Sequence, residues 1–396
     1  MVAVATATWQ AVLDLSRSIF FFDLGLSIYF FLFNLFLMSH GYSEMRLGFL
    51  TSAMAAGNLA GAIPAGRLIQ RCGLRLTLLS CILLAVSIFS SRALWLEFEG
   101  QLVLAFVSGV ALSIWAICIA PAVAQLTDER QRPFAFSLFF SLGIGVGAMA
   151  GLAGGRLPGI FTGFPVISRA VEPERIVLLF SCGIAALSLI PAAQLKFPRP
   201  SIPAQNRPFF SPFLARFLPA IAVWSLVTGS FSPFANVYFA HHLHLPLPQV
   251  GTIFSVSQLL QVVAVFSAPL VFRRWGLVRG IVYTQCATAL CLALLALTHT
   301  PLQAMVVYVG FTAFQWMNEP GTYSLLMNQV DADQRGWAAA SNSLVISAMQ
   351  MVAAACAGLG FAKYGYPISL RGIAAIAGIA AILFWVLLVP KRKESP

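Results

Sequence analysis

The chain has 396 residues, of which 59% are hydrophobic and 9% charged, and its formal net charge is +11. A water-soluble domain carries roughly 25% charged residues, so this composition excludes one and describes a chain dissolved in lipid. The basic excess raises nucleic acid as a partner, but the placement of the charges gives it another meaning.

Apolar runs long enough to span a bilayer, about 20 residues each, fall at 14–37, 47–66, 76–96, 101–126, 134–155, 175–195, 214–240, 250–271, 280–298, 303–329, 337–361 and 371–390. A transmembrane barrel would need alternating segments of about 10 residues, which are absent, so all the runs are read as helices. The first eight residues lack the basic start of a cleavable signal peptide, and the first run is expected to remain in the mature chain.

In the first run Asp23, Ser27, Phe30 and Asn34 are spaced to share one helix face. A carboxylate at mid-membrane costs about 2.5–3.5 kcal/mol on insertion scales, so Asp23 reads as functional before it reads as structural. The structural alternative is a pairing with Arg17 or with a neighbouring helix. Asp14 and Arg17, nearer the end of the run, read as an interfacial pair.

Between the second and third runs stands Gly66-Arg67-Leu68-Ile69-Gln70-Arg71-Cys72-Gly73-Leu74-Arg75. It returns 203 positions later, where Arg274, Gly276 and Leu277 repeat Arg71, Gly73 and Leu74. The same shift carries Gly48 to Gly251, and Asp128, Gln131, Arg132 and Ala135 to Asp331, Gln334, Arg335 and Ala338. One offset holding at three places is an internal duplication. It divides the chain into six-helix halves at 1–195 and 214–396, joined by a polar, proline-rich linker at 196–213.

The fifth run carries Gly143, Gly147, Gly151 and Gly155, one every four residues, which leaves a groove for another helix backbone. The seventh places Ser225, Gly229, Ser232 and Asn236 on one face and should bend at Pro233. Beyond it His241, His242 and His244 crowd a short loop; with no carboxylate or cysteine beside them they read as a polar interface, or a modest pH sensor, rather than a metal site. The tenth run aligns Tyr308, Thr312, Gln315, Glu319 and Tyr323, with Trp316 at the edge. Pro320 after Glu319 is expected to break the helix there, as happens at membrane depth where a helix lines a cavity. The seven cysteines show no Cys-x-x-Cys pair and read as packing residues.

With the N-terminus in the cytoplasm, the loops on that side hold 16 basic residues against 7 opposite, Arg92 among the latter. This positive-inside bias accounts for the net charge and places both termini in the cytoplasm.

Gly66, Arg71, Gly73 and Arg75 resemble the signature between helices 2 and 3 of the major facilitator superfamily, with Gln70 where that family usually has Asp. The glycines of the fifth run resemble the motif of the superfamily's antiporters, except that Leu152 replaces the expected proline. Ala105, ahead of Gly109, stands where its drug/proton antiporters carry an arginine. The resemblance implies an all-α polytopic membrane protein of two pseudo-symmetric six-helix bundles and 12 transmembrane helices. In that fold helices 1, 4, 7 and 10 line a central cavity and one bundle rocks against the other. A cytoplasmic gate would comprise Gly66, Arg71, Gly73, Arg75, Asp128, Arg132, Arg274, Gly276, Asp331 and Arg335.

Asp23 and Glu319 are the carboxylates placed deep in the membrane, and burial penalises their charged form. One of them is expected to couple a proton, or alternatively sodium, to the solute. No Lys or Arg is placed at mid-depth to await an anion. Trp115, Trp224, Trp316 and Tyr323 offer flat apolar and cation–π surfaces, while Ser27, Asn34, Ser232, Asn236, Gln258, Gln261 and Gln315 offer hydrogen bonds. The expected function is secondary active transport of a small neutral or cationic amphipathic solute, by proton-coupled efflux of the multidrug kind. The alternative is uptake, proton-coupled or facilitative, of a neutral nutrient such as a sugar; a non-transporting sensor is the remote one. Motifs of hydrolases, zinc enzymes and phosphate loops are absent, and no enzyme activity, cofactor or metal is expected. The setting expected is a monomer in a bacterial inner membrane, with lipid as its partner and no nucleic acid.

Overall fold

The computed structural model describes residues 2–127, 132–163, 171–197, 211–331 and 334–388. Among them are α1 (Val2–Ser39), α2 (Glu44–Cys72), α3 (Leu74–Leu94), α4 (Phe98–Leu126) and α5 (Arg132–Thr162). Helix α6 joins Pro173–Leu187 to Leu189–Gln194 across Ser188, and α7 is Pro212–Ser230. They are followed by α8 (Leu247–Trp275), α9 (Leu277–Leu295) and α10 (Pro301–Asn328). The last helical run, Arg335–Leu388, is interrupted only at Gly365 (φ 73°, ψ 173°) and forms α11 (335–364) and α12 (366–388). The fold is the expected twelve-helix arrangement in two bundles, and the described residues contain no strand.

Eight stretches are long and apolar enough to cross a membrane, the last of which, Trp337–Leu388, holds both α11 and α12. Helices α2 and α10 fall outside that set, as does α5. The first carries Glu44, Arg46, Arg67 and Arg71, and the second Gln303, Gln315, Asn318 and Glu319, so each lowers its own hydropathy with polar groups.

The duplication is visible in the backbone. Helices α8, α9, α10 and α11 begin at 247, 277, 301 and 335, each 203 residues after the starts of α2, α3, α4 and α5 at 44, 74, 98 and 132. The α2–α3 and α8–α9 turns are built on Gly73 (φ 80°, ψ 161°) and Gly276 (φ 82°, ψ 155°). A side chain at either φ would be strained, and the paired glycines repeat this conformation at corresponding corners.

Contacts gather the described residues into two compact units, one from 1–203 with 239–259 and the other from 204–238 with 260–396. In the first, α1 packs on α5 and α6, α2 on α4, and α3 on α4 and α6. In the second, α7 packs on the α11–α12 run, and α9 packs on α10 and on that same run. The start of α8 belongs to the first unit because its small residues seat on the glycine face of α5. A Cβ on Gly151 would meet the Ser255 hydroxyl at 2.7 Å, one on Gly155 would meet the Leu247 carbonyl at 2.9 Å, and Gly251 abuts the Gly151 carbonyl. The Ser255 hydroxyl also bonds the Ala148 carbonyl at 2.7 Å and the Gly251 carbonyl at 2.9 Å. The groove expected on the fifth helix is thus occupied along Gly147, Gly151 and Gly155, while Gly143 has nothing within 4 Å.

Pro233 and Pro320 behave differently from expectation. Pro233 does more than bend α7: the helix stops at Ser230, and a 3₁₀ turn at Ser232–Phe234 and a π turn at Tyr238–His242 carry the chain onward. Asn236, in the helical turn Ala235–Val237 between them, is buried, and its Oδ1 accepts from the Val237 amide at 2.9 Å. Pro320, expected to break the tenth helix, leaves α10 continuous from Pro301 to Asn328. Proline forfeits one ladder bond, and long helical segments on both sides hold the remainder.

The α2–α4 crossing has the closest approach in the first unit: a Cβ on Gly109 would strike the Met54 carbonyl, and one on Gly57 the Phe106 carbonyl. Neither backbone can recede without parting the helices. Gly109→Ala is expected to lower stability by about 1–3 kcal/mol, read as a fall in the thermal unfolding midpoint in detergent. Gly143→Ala, which faces open space, is expected to leave that midpoint unchanged.

Candidate functional site

Each unit carries its own polar face. In the first, Asp23, Ser27, Phe30 and Asn34 are all half-buried along α1, bordered by the buried Phe22, Leu26 and Tyr29. Trp115 of α4 stands beside the Asp23 carboxyl. The Trp115 ring lies 4.1 Å from that of Phe22, the neighbour of Asp23. Two residues singled out separately, a carboxylate and an indole, are therefore brought together. The one polar group of the indole is its N–H, and the Trp115 side chain is buried.

Gln258 of α8 is half-buried in the same unit, its amide against Gly147. Gln261, one turn on, is buried. His241, His242 and His244 are exposed, and no group of three His, Cys, Asp or Glu able to hold a metal occurs among the described residues. All seven cysteines are free; Cys81, Cys118 and Cys182 pack in the core as expected, whereas Cys72, Cys286 and Cys356 lie on the outer surface.

In the second unit the polar face is assembled from three helices. In the 3₁₀ turn just beyond α7 the Ser232 hydroxyl donates to Gln315 Oε1 of α10 at 3.5 Å. One turn earlier on α7, the Thr228 hydroxyl accepts from Gln350 Nε2 of α11 at 3.3 Å. Glu319 follows Gln315 by one turn and is half-buried, with Trp316 and Tyr323 exposed beside it at helical spacing. Trp224 and Asn236 are buried.

Thr228 and Gln350 were absent from the residues picked out by sequence. Thr228 lies four residues before Ser232, a spacing that could have revealed it. Gln350 could have been recognised as an isolated amide in the eleventh apolar run.

The profile described as Major Facilitator Superfamily matches residues 15–354 and, in a second register, 213–396. The chain belongs to this family. A search of the curated proteins finds no match. Among solved structures, a mutant of the nucleoside transporter NupG superposes with a TM-score of 0.79 at 13% identity, covering 96% of this chain and 100% of that one. A bacterial homologue of the iron transporter ferroportin, inward-facing, gives 0.75 at 12% identity over 96% and 98% of the two chains. The inward-open xylose transporter XylE from E. coli gives 0.75 at 13% over 99% and 98%. At such identities the likeness is one of fold. The chain is an integral membrane protein of a transporter family, consistent with its helices.

The signature loop of this superfamily member is built as follows. Arg71 is exposed, and Arg75 donates to the Ala193 carbonyl, capping the last turn of α6. Arg274, Asp331 and Arg335 are exposed, and none of them, nor Arg71, forms an ion pair with a described residue. Asp128 lies outside the described residues; Gly66 lies within α2, and Arg132 opens α5. Asp14 and Arg17 do pair, at 3.2 Å, as expected.

Arg92 overturns its assignment to the far surface. It is 3% exposed, donating through Nε to Gln101 Oε1 at 3.1 Å and through Nη1 to the Ser108 hydroxyl at 3.3 Å. Its guanidinium lies 4.5 Å from the centre of the Phe33 ring. Neutral acceptors and an aromatic face, with no carboxylate bonded to it, hold this cation. Just outside the span, Tyr42 donates to the Leu96 carbonyl at 2.7 Å, and burial raises its phenol above the ordinary pKa against the opposing pull of Arg46 and Arg92. Gln101→Ala, which strips an acceptor from a buried charge, is expected to cost about 1.5–3 kcal/mol. Arg92→Met, which removes the charge and keeps an apolar stem, is expected to be neutral or stabilising. Thermal unfolding in detergent measures both, and a reversed order would contradict the account.

Proposed function

We propose that the protein is a proton-coupled secondary transporter that exports a small neutral or cationic amphipathic solute by alternating access. The observation that carries the reading is the face of α10 on which Glu319 stands between Trp316 and Tyr323, one turn from the Ser232–Gln315 pair. A carboxylate there offers a cation its counter-charge or a proton its carrier, and flanking aromatic rings favour an apolar or cationic body. Asp23 with Trp115 beside it supplies the same combination in the first unit. Neither face carries a Lys or Arg that would select an anion.

The domain halves, the linker at 196–213 and the arginine-loop gate of Arg71, Arg274, Asp331 and Arg335 belong to this reading. So does a bacterial inner membrane with both termini cytoplasmic. The charge asymmetry supports that orientation: withdrawing Arg92 into the bundle reduces the far-side count from 7 to 6 against 16. We further propose that the protein acts as a monomer and not as an enzyme.

A second reading, uptake of a neutral polyhydroxylated solute, is favoured by one specific observation. Thr228–Gln350 and Ser232–Gln315 present two amide–hydroxyl pairs, one on the last turn of α7 and one on the 3₁₀ turn after it, the chemistry that recognises sugar hydroxyls. The similar structures named for nucleosides, xylose and metal share the fold, and their substrates do not carry over at 12–14% identity.

Purified protein in liposomes, with a pH gradient imposed in either direction and a panel of dye-like cations and sugars, tests both. Glu319→Gln is expected to abolish pH-driven accumulation while downhill exchange persists, and unaltered accumulation in a Glu319→Gln, Asp23→Asn double variant would remove proton coupling from the proposal. For the polyol reading, Gln350→Leu and Thr228→Val are each expected to raise KM for sugar about tenfold, ~1.4 kcal/mol. Extrusion of dye cations without sugar uptake would decide against it.

A further inference from the structure

The Phe272 ring, near the end of α8 in the second unit, enters a slot between two glycines. A Cβ built on Gly280 of α9 would stand 2.5 Å from Phe272 Cδ1 and 3.1 Å from Cε1. One built on Gly321 of α10 would stand 2.6 Å from Cζ and 3.0 Å from Cε2. Two edges of one ring occupy the places of two missing side chains, so neither helix accepts a larger residue while the ring is present. Ile281 closes the slot, its Cγ1 3.0 Å from the same position on Gly321.

One turn before Gly321, and on the same face of α10, Asn318 donates to the Ile281 carbonyl at 3.1 Å and to the Thr284 hydroxyl at 2.8 Å. These contacts bracket Pro320, which gives the Trp316 carbonyl no N–H to bond. The helix is least held by its own ladder at this turn, and it is held from outside by Asn318 and Phe272. Glu319 occupies the same turn and points to another side, with Trp316 and Tyr323. Beyond Phe272, Arg273 and Arg274 are exposed, and Trp275 stacks edge-on against Tyr283 of α9 at 5.4 Å.

The other half of the duplication supplies a comparison. At the 203 offset Phe272, Gly280 and Gly321 correspond to Ile69, Thr77 and Cys118, and Glu319 corresponds to Ala116. The ring, its two glycines and the acid occur together in one half and are all replaced in the other. A wedge needed only to pack a bundle would have reason to appear in both.

We infer that Phe272 is a positioning residue for Glu319: seated between Gly280 and Gly321, it fixes the rotation of α10 at the Pro320 turn and ties the orientation of the acid to the α8–α9 arginine loop. The inference rests on the reading of Glu319 as the coupling acid, but its test does not require the solute to be known.

A lipid-soluble carbodiimide modifies protonated carboxyls in apolar surroundings, and mass spectrometry of the full chain in nanodiscs gives separate labelling rates for Glu319 and Asp23. Phe272→Ala is expected to raise the Glu319 rate several-fold. Gly321→Ala, which forces the ring out, is expected to raise it as well, and adding Phe272→Leu to Gly321→Ala should return it towards the original value. The Asp23 rate should be the same throughout, reporting an intact first unit. If Phe272→Ala fails that control, Phe272→Leu alone carries the test with a smaller rise expected. Original Glu319 rates in both Phe272→Leu and Gly321→Ala, with Asp23 unchanged, would overturn the inference. A Glu319→Gln variant that retains pH-driven transport would instead remove the coupling reading and leave the wedge standing.

Discussion

Inside a bilayer every backbone N–H and C=O must find its partner within the protein, because lipid tails supply none. That constraint makes the described chain helical throughout its apolar runs, and it also removes the hydrophobic effect as a reason for helices to associate, since tails are as apolar as Leu. What remains is close packing and hydrogen bonding between helices. The contacts that organise both units are of this kind: Gly57 and Gly109 against carbonyls across α2–α4, and Asn318 against the Ile281 carbonyl across α9–α10.

The same scarcity of partners governs the polar side chains. Many serines and threonines within the spans return their hydroxyls to their own helix, as Ser225 does to Ile221 and Thr288 to Thr284. The exceptions reach between helices, and two of them, Ser232–Gln315 and Thr228–Gln350, define the polar face of the second unit. A buried cation follows the same economy: Arg92 is satisfied by an amide, a hydroxyl and the face of Phe33 rather than by an acid.

Most of the fold was legible in the sequence because helix number, length and duplication are written in hydropathy and in the 203 offset, and backbone geometry follows both closely. The acids were legible for a related reason, since a carboxylate in an apolar run stands out without any knowledge of packing. Local proline outcomes were not. Pro233 and Pro320 look alike in sequence, yet one follows the end of a helix and the other is absorbed within one. Arg92 was misplaced because a charge count assigns any base near the end of a run to the surface, and only tertiary contacts show that Gln101 and Ser108 draw it inward. Asn318 was not legible because its partners, the Ile281 carbonyl and the Thr284 hydroxyl, lie on another helix and are fixed only by tertiary packing.

The seam between α5 and α8 has a property that follows from the two bonds of one hydroxyl. Ser255 reaches both Ala148 on the neighbouring helix and Gly251 on its own, at nearly equal lengths. Were the helices to part, the proton would fall back to the intrahelical carbonyl, and no donor would be stranded in oil. The reverse motion would gain a crossing bond without first breaking one to water. A joint whose glue is self-satisfying when undone is inexpensive to open and shut, which distinguishes it from the glycine crossing of α2 and α4, where only contact of surfaces holds and any gap is lost attraction.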